Sequence, residues 1–404
     1  MANSLDPSIK EVWSRDYQDM TEKVRVYSNI ANFRLESDLK TGDTAHRPYM
    51  SDVTVNTLGS EGSYTRQDIT STDESLSIDQ EREATFYIKD IDHWQSHYPT
   101  REKMAKRCAV KLNQQIDGDV LGEYDQADHT IDDSELGGTS GDGMSLSTSN
   151  IIKPFTVAGR KLEVDDNDYD EKRWAVISPH FYQLLLERLE GKESALGDKT
   201  GQNGHVGKYM GFDLYKSNAT GWSGRLEFGT NPTNNDTVTI NGVTFTFVDT
   251  LGTTAGNIHI CSDAENTLNS LVAAINAPGT SVTSDTDAGF VALSAANQAL
   301  LKNITATDGA TYMTLKAEGK GYVAVSENLT ATADVWTTDL QIQHLLFGQG
   351  RPVDLVVQRA PKMMIKDRTG YIGNDIVNYI VYGLKTFDDG DRRLVDVKVD
   401  SSSF

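Results

Sequence analysis

The apolar positions of this chain change period several times, and each change marks an element. Behind the capping acid and first-turn proline of Asp6-Pro7, the residues Ile9, Val12, Tyr17, Met20, Val24 and Tyr27 recur at roughly helical spacing, which predicts an interrupted helix to about Ile30. From about Thr44 to Ile88 the period is two. Val53 and Val55, Leu76 and Ile78, then Phe86 and Ile88 alternate with polar neighbours, and Gly59-Ser60-Glu61-Gly62-Ser63 lies between them as a turn. This predicts a long two-stranded excursion with a weak apolar face. A hairpin of that kind is marginal alone and has to lie on something else.

The strongest helical stripe is Met104, Cys108, Leu112, Ile116 and Val120, within a helix from about Thr100 to Glu123 whose other faces carry Lys and Arg at 101, 103, 106, 107 and 111. Residues 125–150 are acidic and rich in Gly and Ser, the pattern of a mobile loop. A second unit opens with a strand at Trp174–Ile177. Ser178-Pro179 then caps a helix His180–Glu190 with Phe181, Leu184, Leu185 and Leu189 on one face, and a strand Lys208–Lys216 containing Gly211 follows. After Thr338 the same style resumes: a helix Asp339–Phe347, a strand Val353–Gln358, a helix or a strand at Asn374–Val377, and a strand Leu394–Val399.

Between these parts the grammar differs. From Ser223 to Thr337 the chain is Thr-rich and carries four Lys or Arg against eleven Asp or Glu. Thr237–Ile240, Asn241-Gly242 and Val243–Val248 form a tight-hairpin signature, because Asn-Gly tolerates the two positive φ values such a turn needs. Ser262 and Glu265 form a capping box before a helical face of Leu268, Leu271, Val272 and Ile275, closed by Pro278-Gly279. Strand-like pieces follow at Phe290–Leu293 and Tyr322–Val325. The expectation is a small α+β domain inserted whole into a host domain.

Charge narrows the function. The chain has 404 residues, 38 Lys and Arg against 59 Asp and Glu, and a net charge of −21. Phosphate binding needs clustered Lys and Arg, so general nucleic-acid and anionic-membrane binding are disfavoured. No apolar run approaches the ~18 residues of a membrane helix, and Met1–Lys10 has no apolar signal core, so secretion is not expected. Two cysteines, Cys108 and Cys261, cannot build a disulfide framework or a multi-cysteine zinc site.

No catalytic constellation emerges. His93 and His97 are four apart beside Asp90 and Asp92, but the favoured reading is solvated residues before a helix start at Pro99. Asp165, Asp166, Asp168 and Asp170 resemble a calcium loop without its Gly and terminal Glu, hence a solvated acidic loop. Gly221-Trp222-Ser223-Gly224 lacks the spacing of a nucleophile elbow. Cys108 lies on the apolar stripe and is expected to be a small core residue. Neither an enzyme nor a cofactor nor a metal is expected.

Three stretches carry a family likeness. They are Leu76–Asp92 (LSIDQEREATFYIKDID) running into the helix with Ala109–Asp117, Trp174–Leu185 (WAVISPHFYQLL), and Gly207–Asn218 (GKYMGFDLYKSN). In this order they resemble the major capsid proteins of tailed bacteriophages, the Hong Kong 97-type fold. The likeness covers most of residues 1–221 and, more weakly, 338–404. It implies an N-terminal arm (1–43), an extended loop lying across a neighbouring subunit (44–89) and a peripheral domain (90–172) with a spine helix (100–123). It also implies an axial domain in two parts (173–222 and 338–385) and a return to the peripheral domain (386–404). The segment 223–337 departs from that plan as an insertion domain.

The function implied is self-assembly into hexamers and pentamers of an icosahedral or prolate head, in the virion, after assembly in the host cytoplasm. The partners implied are further copies of the chain, a portal and a decoration protein. The arm starts close to Met1, so a separate scaffolding protein is expected. No membrane and no sequence-specific nucleic-acid partner is expected. Candidate intersubunit contacts are Arg47, Glu61, Tyr64, Arg66, Asp68 and Glu74. The alternative is another virion component whose insert 223–337 binds host or glycan.

Overall fold

The computed structural model describes residues 25–37, 39–51, 53–59, 62–91, 100–165, 172–190, 207–283, 288–331, 335–367 and 370–402. Most of the predicted N-terminal helix, Glu61, His93 and His97 lie outside the described residues. In chain order, the elements used below are strands β1 (Thr44–Met50), β2 (Ser71–Ser77) and β3 (Gln80–Lys89), then helices α1 (Thr100–Leu121) and α2 (Lys153–Val164). Strand β4 (Arg173–Ile177), helix α3 (Pro179–Glu190), strand β5 (Gly221–Glu227) and helix α4 (Ala264–Asn276) follow. The chain closes with β6 (Ile342–Gln349), β7 (Val353–Asp367), β8 (Gly373–Thr386) and β9 (Leu394–Asp400).

The extended excursion is shorter than its sequence pattern. β1 and β2 pair antiparallel from Thr44↔Ser77 to Met50↔Ser71. β3 leaves the hairpin and pairs with β8 from Gln80↔Tyr382 to Lys89↔Gly373. Phe86 and Ile88 are therefore in a strand, as expected, but in a different sheet, and the loop closes at Ser77 instead of reaching residue 89.

α1 lies on the four-stranded sheet made of Ala31–Asn32, β7, β8 and β3. Leu112, Ile116 and Val120 pack with Leu355, Ile380 and Tyr382. Met104 and Cys108, the first two positions of the stripe, are only half-buried, so the helix outruns its core at the N-terminal end. Two buried acids fasten the helix. Asp117 accepts from the backbone N–H of Val26 and Tyr27, each at 2.8 Å, and Asp119 accepts from the Tyr382 hydroxyl. Such bonds satisfy carboxylates that would be costly to bury alone.

The second layer is a nine-stranded sheet in which β5, β6, β4 and Phe212–Lys216 are successive, with β9 on β6. α2 and α3 cover it through Phe155, Leu162, Phe181 and Leu185 against Ile177, Phe347 and Val397. The Ser178 hydroxyl caps α3 by accepting from the Phe181 N–H at 3.2 Å. α2, with Pro154 in its first turn, was not signalled by the sequence reading.

Several expectations need correction. Residues 339–347 are not a helix. A single 3-10 turn, Thr338–Leu340, leads into β6, whose eight positions are all buried. A strand covered on both faces shows no alternation, so its pattern imitates a buried helix segment. Residues 353–386 form β7 and β8 beside α1, whereas β9 joins the sheet of β4, so the sheets do not follow the divisions 338–385 and 386–404. Lys208–Lys216 is split by Met210 and Gly211, both at positive φ, into a short hairpin.

The stretch 125–150 is ordered. Asp132 accepts from the N–H groups of Ser134 and Gly141 and the hydroxyl of Ser140, and Gly143 packs where a Cβ would lie 2.7 Å from the Asp400 nitrogen. Burial works to raise the Asp132 carboxyl, but those donors outweigh it and hold the group below the usual carboxylate range.

The segment 223–337 has its own core, including Phe245, Phe247, Ile258, Leu271 and Leu315, beneath a six-stranded sheet built only from its own strands. The Asn241-Gly242 hairpin is as predicted, with both residues at positive φ. Asp263, not Ser262, caps α4, accepting from the Asn266 N–H at 2.8 Å. The helix Ala295–Leu301 and the strands Ile304–Asp308 and Tyr312–Ala317 were not anticipated. Those two strands extend the nine-stranded sheet through β5, so the segment is fused to the host sheet and not inserted as a separate body.

Candidate interaction surfaces

The root of the extended loop is fixed by its own chain. Leu76 is buried with Leu39, Val356 and Phe387 in a small satellite core. Gly383 of β8 backs onto the loop so closely that a Cβ there would sit 2.3 Å from the Ser77 carbonyl oxygen. Arg47 forms ion pairs with Asp389 and, at 3.5 Å, Asp354, and its guanidinium lies 5.0 Å from the Phe387 ring centroid. Glu74 accepts from the Asp388 N–H at 3.2 Å and faces Lys385 at 3.9 Å. Burial is the main influence on the Asp354 carboxyl and pushes it up to about 6, against the pull of Arg47.

Beyond Met50 the loop changes character. Its two limbs are joined by the Ser51 N–H donating to the Thr70 carbonyl and by Thr54 with Gln67, and the Gly59 N–H closes the turn on the Ser63 carbonyl. Here the apolar side chains are mostly uncovered: Val55 is 98 % exposed, Tyr64 83 %, and Val53, Leu58 and Ile69 between 66 and 71 %. Arg66 pairs with Asp68 at 2.8 Å, both on the surface. The sequence candidates therefore divide. Arg47 and Glu74 serve the root, Tyr64, Arg66 and Asp68 sit towards the tip, and Glu61 lies outside the described residues.

A second apolar surface was missed by the sequence reading. At the far end of the β7–β8 hairpin, Met363, Ile365, Tyr371 and Ile372 are 46 to 68 % exposed, and the Tyr87 hydroxyl donates to the Ile372 carbonyl. The signal was present in Met363-Met364-Ile365 and Tyr371-Ile372, but only their position at a strand end makes them exposed.

Polar constellations also form that no spacing revealed. Ser223 Oγ lies 2.9 Å from His344 Nε2, and His344 Nδ1 lies 2.9 Å from Asp396. This has the order of a nucleophile, base and orienting acid. Yet Ser223 is inside a paired strand, His344 is buried, and the Tyr124 ring stacks on the imidazole at 3.8 Å. The trio is a packed tie between β5, β6 and β9. Asp165, expected in a solvated acidic loop, meets His129 Nε2 at 2.5 Å with Asp128 alongside. Cys108 is half-buried, and burial pushes its thiol up, away from the thiolate a nucleophile needs.

No protein-family model matches the sequence, and no curated protein does. Solved structures do match along almost the whole chain. A chain from Mycobacterium phage Che8 superposes with a TM-score of 0.57 at 13 % identity, covering 96 % of both chains. The capsid structure of cyanophage P-SCSP1u gives 0.54 at 12 % identity, covering 98 % of this chain and 94 % of that one. The mature capsid of bacteriophage PhiM1 gives 0.52 at 11 % identity, covering 97 % and 92 %. With the spine-like helix on a long-stranded sheet, the anchored extended loop and the second, larger sheet, the chain has the fold of tailed-phage capsid proteins, the Hong Kong 97-type fold.

Proposed function

We propose that this chain is a major capsid protein that assembles with copies of itself into the hexamers and pentamers of a phage head. One observation carries the reading: the extended loop is anchored at its root and presents uncovered apolar side chains towards its tip. Full burial of a side chain such as Val or Leu contributes about 1.5–3 kcal/mol, so the tip, unlike the root, gains this stabilisation only on another surface. A closed shell supplies that surface to every copy. Tyr64, Arg66 and Asp68, together with Val53, Val55 and Leu58, are the groups that meet the neighbour. Arg47 and Glu74 aim the loop from below.

The near-full-length likeness in fold to capsid structures supports this over a glycan- or host-binding component, which no observation favours. The reading makes the shell a container without turnover, assembled in the host cytoplasm with a scaffolding protein and a portal. The segment 223–337 is an insertion facing outward, where a decoration protein would also sit, because a folded unit on the inside would crowd packaged DNA. Electron microscopy of the chain expressed with and without a scaffolding protein tests the reading. Rings or closed shells are expected, and small discrete particles under both conditions would overturn it.

A further inference from the structure

Between the Ala31–Asn32 strand, the loop root and the nine-stranded sheet lies a cavity of about 720 Å3. Its charge is unlike that of the rest of the molecule. Arg34, Arg47, Lys172, Arg351 and Arg393 all line it, in a chain whose net charge is −21. They come from five separate stretches of sequence, so no local charge run explains the cluster. Three carboxylates share the lining, and each already faces a cation. Asp354 and Asp389 are met by Arg47, and Asp213 is met by Lys208 at 3.9 Å. Arg34, Lys172 and Arg351 make no salt bridge within 4 Å among the described residues, although Arg34 also acts on Asp354, and five cations against three carboxylates leave the cavity an excess of positive charge.

The remaining walls are not those of a bare ion site. Phe33 and Tyr215, both half-buried, bring aromatic side chains to the lining, and Asn32 brings an amide that accepts from the Arg34 N–H at 3.2 Å. The volume lies in the range of sites that enclose a small organic ligand, and it is far larger than one phosphate ion needs. Guanidinium groups pair with phosphate oxygens through charge-assisted, often bidentate bonds, and aromatic faces stack on nucleobases without regard to sequence.

We propose that this cavity binds a phosphate ester of nucleotide size, with Arg34, Lys172 and Arg351 holding the phosphates and Phe33 or Tyr215 stacking on the base. The ligand is either a free nucleoside triphosphate or a short stretch of nucleic acid, which share this chemistry. The inference does not rest on the shell-forming reading, because the cavity lies within one subunit.

The test is isothermal titration of the full-length, unassembled chain at about 150 mM salt, where surface attraction is largely screened. The probes are ATP, tripolyphosphate, adenosine and a single-stranded DNA ten-mer. ATP is expected to bind with a dissociation constant below a millimolar, and adenosine to give no heat. Arg34→Glu and Arg351→Glu, both at exposed positions that leave the fold intact, should each weaken ATP about tenfold, the scale of one charge-assisted contact. Tripolyphosphate binding as tightly as ATP would keep the phosphate site and overturn the stacking. The ten-mer binding more tightly than ATP, with the same loss in both variants, would assign the site to nucleic-acid phosphate. Absence of ATP binding at several millimolar, or binding unchanged in both variants, would overturn the proposal. Shell formation read on the same preparations keeps this outcome separate from that of the capsid reading.

Discussion

Replacing Val55 and Leu58 together by serine removes two apolar side chains that touch nothing decisive in their own subunit: Val55 is 98 % exposed and Leu58 66 %. If a neighbour buries both, the loss is about 1.5–3 kcal/mol for each fully covered side chain. Discounting for the cover Leu58 already has gives about 3 kcal/mol for the pair. At 1.4 kcal/mol per decade, that is roughly a hundredfold in the association constant of each loop contact. The concentration threshold for shell formation should rise by a similar factor, read by light scattering and by sedimentation of assembled particles. The subunit should be unchanged, because surface substitutions away from special features stay within about 0.5 kcal/mol. Its circular dichroism and its unfolding midpoint as a monomer check this. Assembly at the wild-type threshold would refute the tip as the contact, and a lowered midpoint would refute the claim that the tip is independent of the fold.

Further outcomes follow from the same geometry. Gly383→Ala should destabilise the subunit by about 1–3 kcal/mol in denaturant titration, since its Cβ would lie 2.3 Å from a backbone oxygen of the loop root that cannot rotate away. Phe155→Ala should cost about 3–5 kcal/mol by the same assay, because its ring meets Tyr209, Phe347, Phe181 and Phe212 at 5.2 to 5.9 Å in the core of the larger sheet. Asp354 binds its proton more tightly in the folded chain, up to about pH 6, mainly through burial. A raised carboxyl contributes stability below its ordinary range, and that contribution is lost as the pH rises through about 6. Asp354→Asn should therefore gain in unfolding midpoint relative to wild type between about pH 4 and 7. A difference that stays constant across that range would refute the assignment.

The parts legible in the sequence were those set by local rules. The stripe of α1, the Ser178 cap of α3 and the Asn241-Gly242 hairpin each follow from neighbours within a few residues. β6 was hidden because both of its faces are covered, and α2 because its apolar face of Phe155, Val157, Ala158 and Leu162 is short and interrupted by Gly159. The loop divides in the same way. Its period-two pattern and central turn were visible, but the partners of Arg47 and Glu74 lie about 300 residues away, at Asp354, Lys385, Asp388 and Asp389. Charges in a loop show that a partner is wanted and not whether it belongs to the same chain. The cavity cluster is invisible for the same reason, since its cations are drawn from five stretches.

β5 and β6 are the strands by which the chain enters and leaves the segment 223–337, and they are direct antiparallel neighbours, with Ser223 opposite Ile342. Opposed residues in such a pair stand about 5 Å apart at their Cα atoms. Both ends of the segment therefore meet at one point of the host sheet, and any replacement would need adjacent termini and a strand to take the place of Tyr312–Ala317 on β5. Adjacent ends let the host chain keep its path on either side of the junction. The doorway made by these two strands thus fixes where the segment joins the host, while the β6–β9 pairing behind it belongs to the host alone.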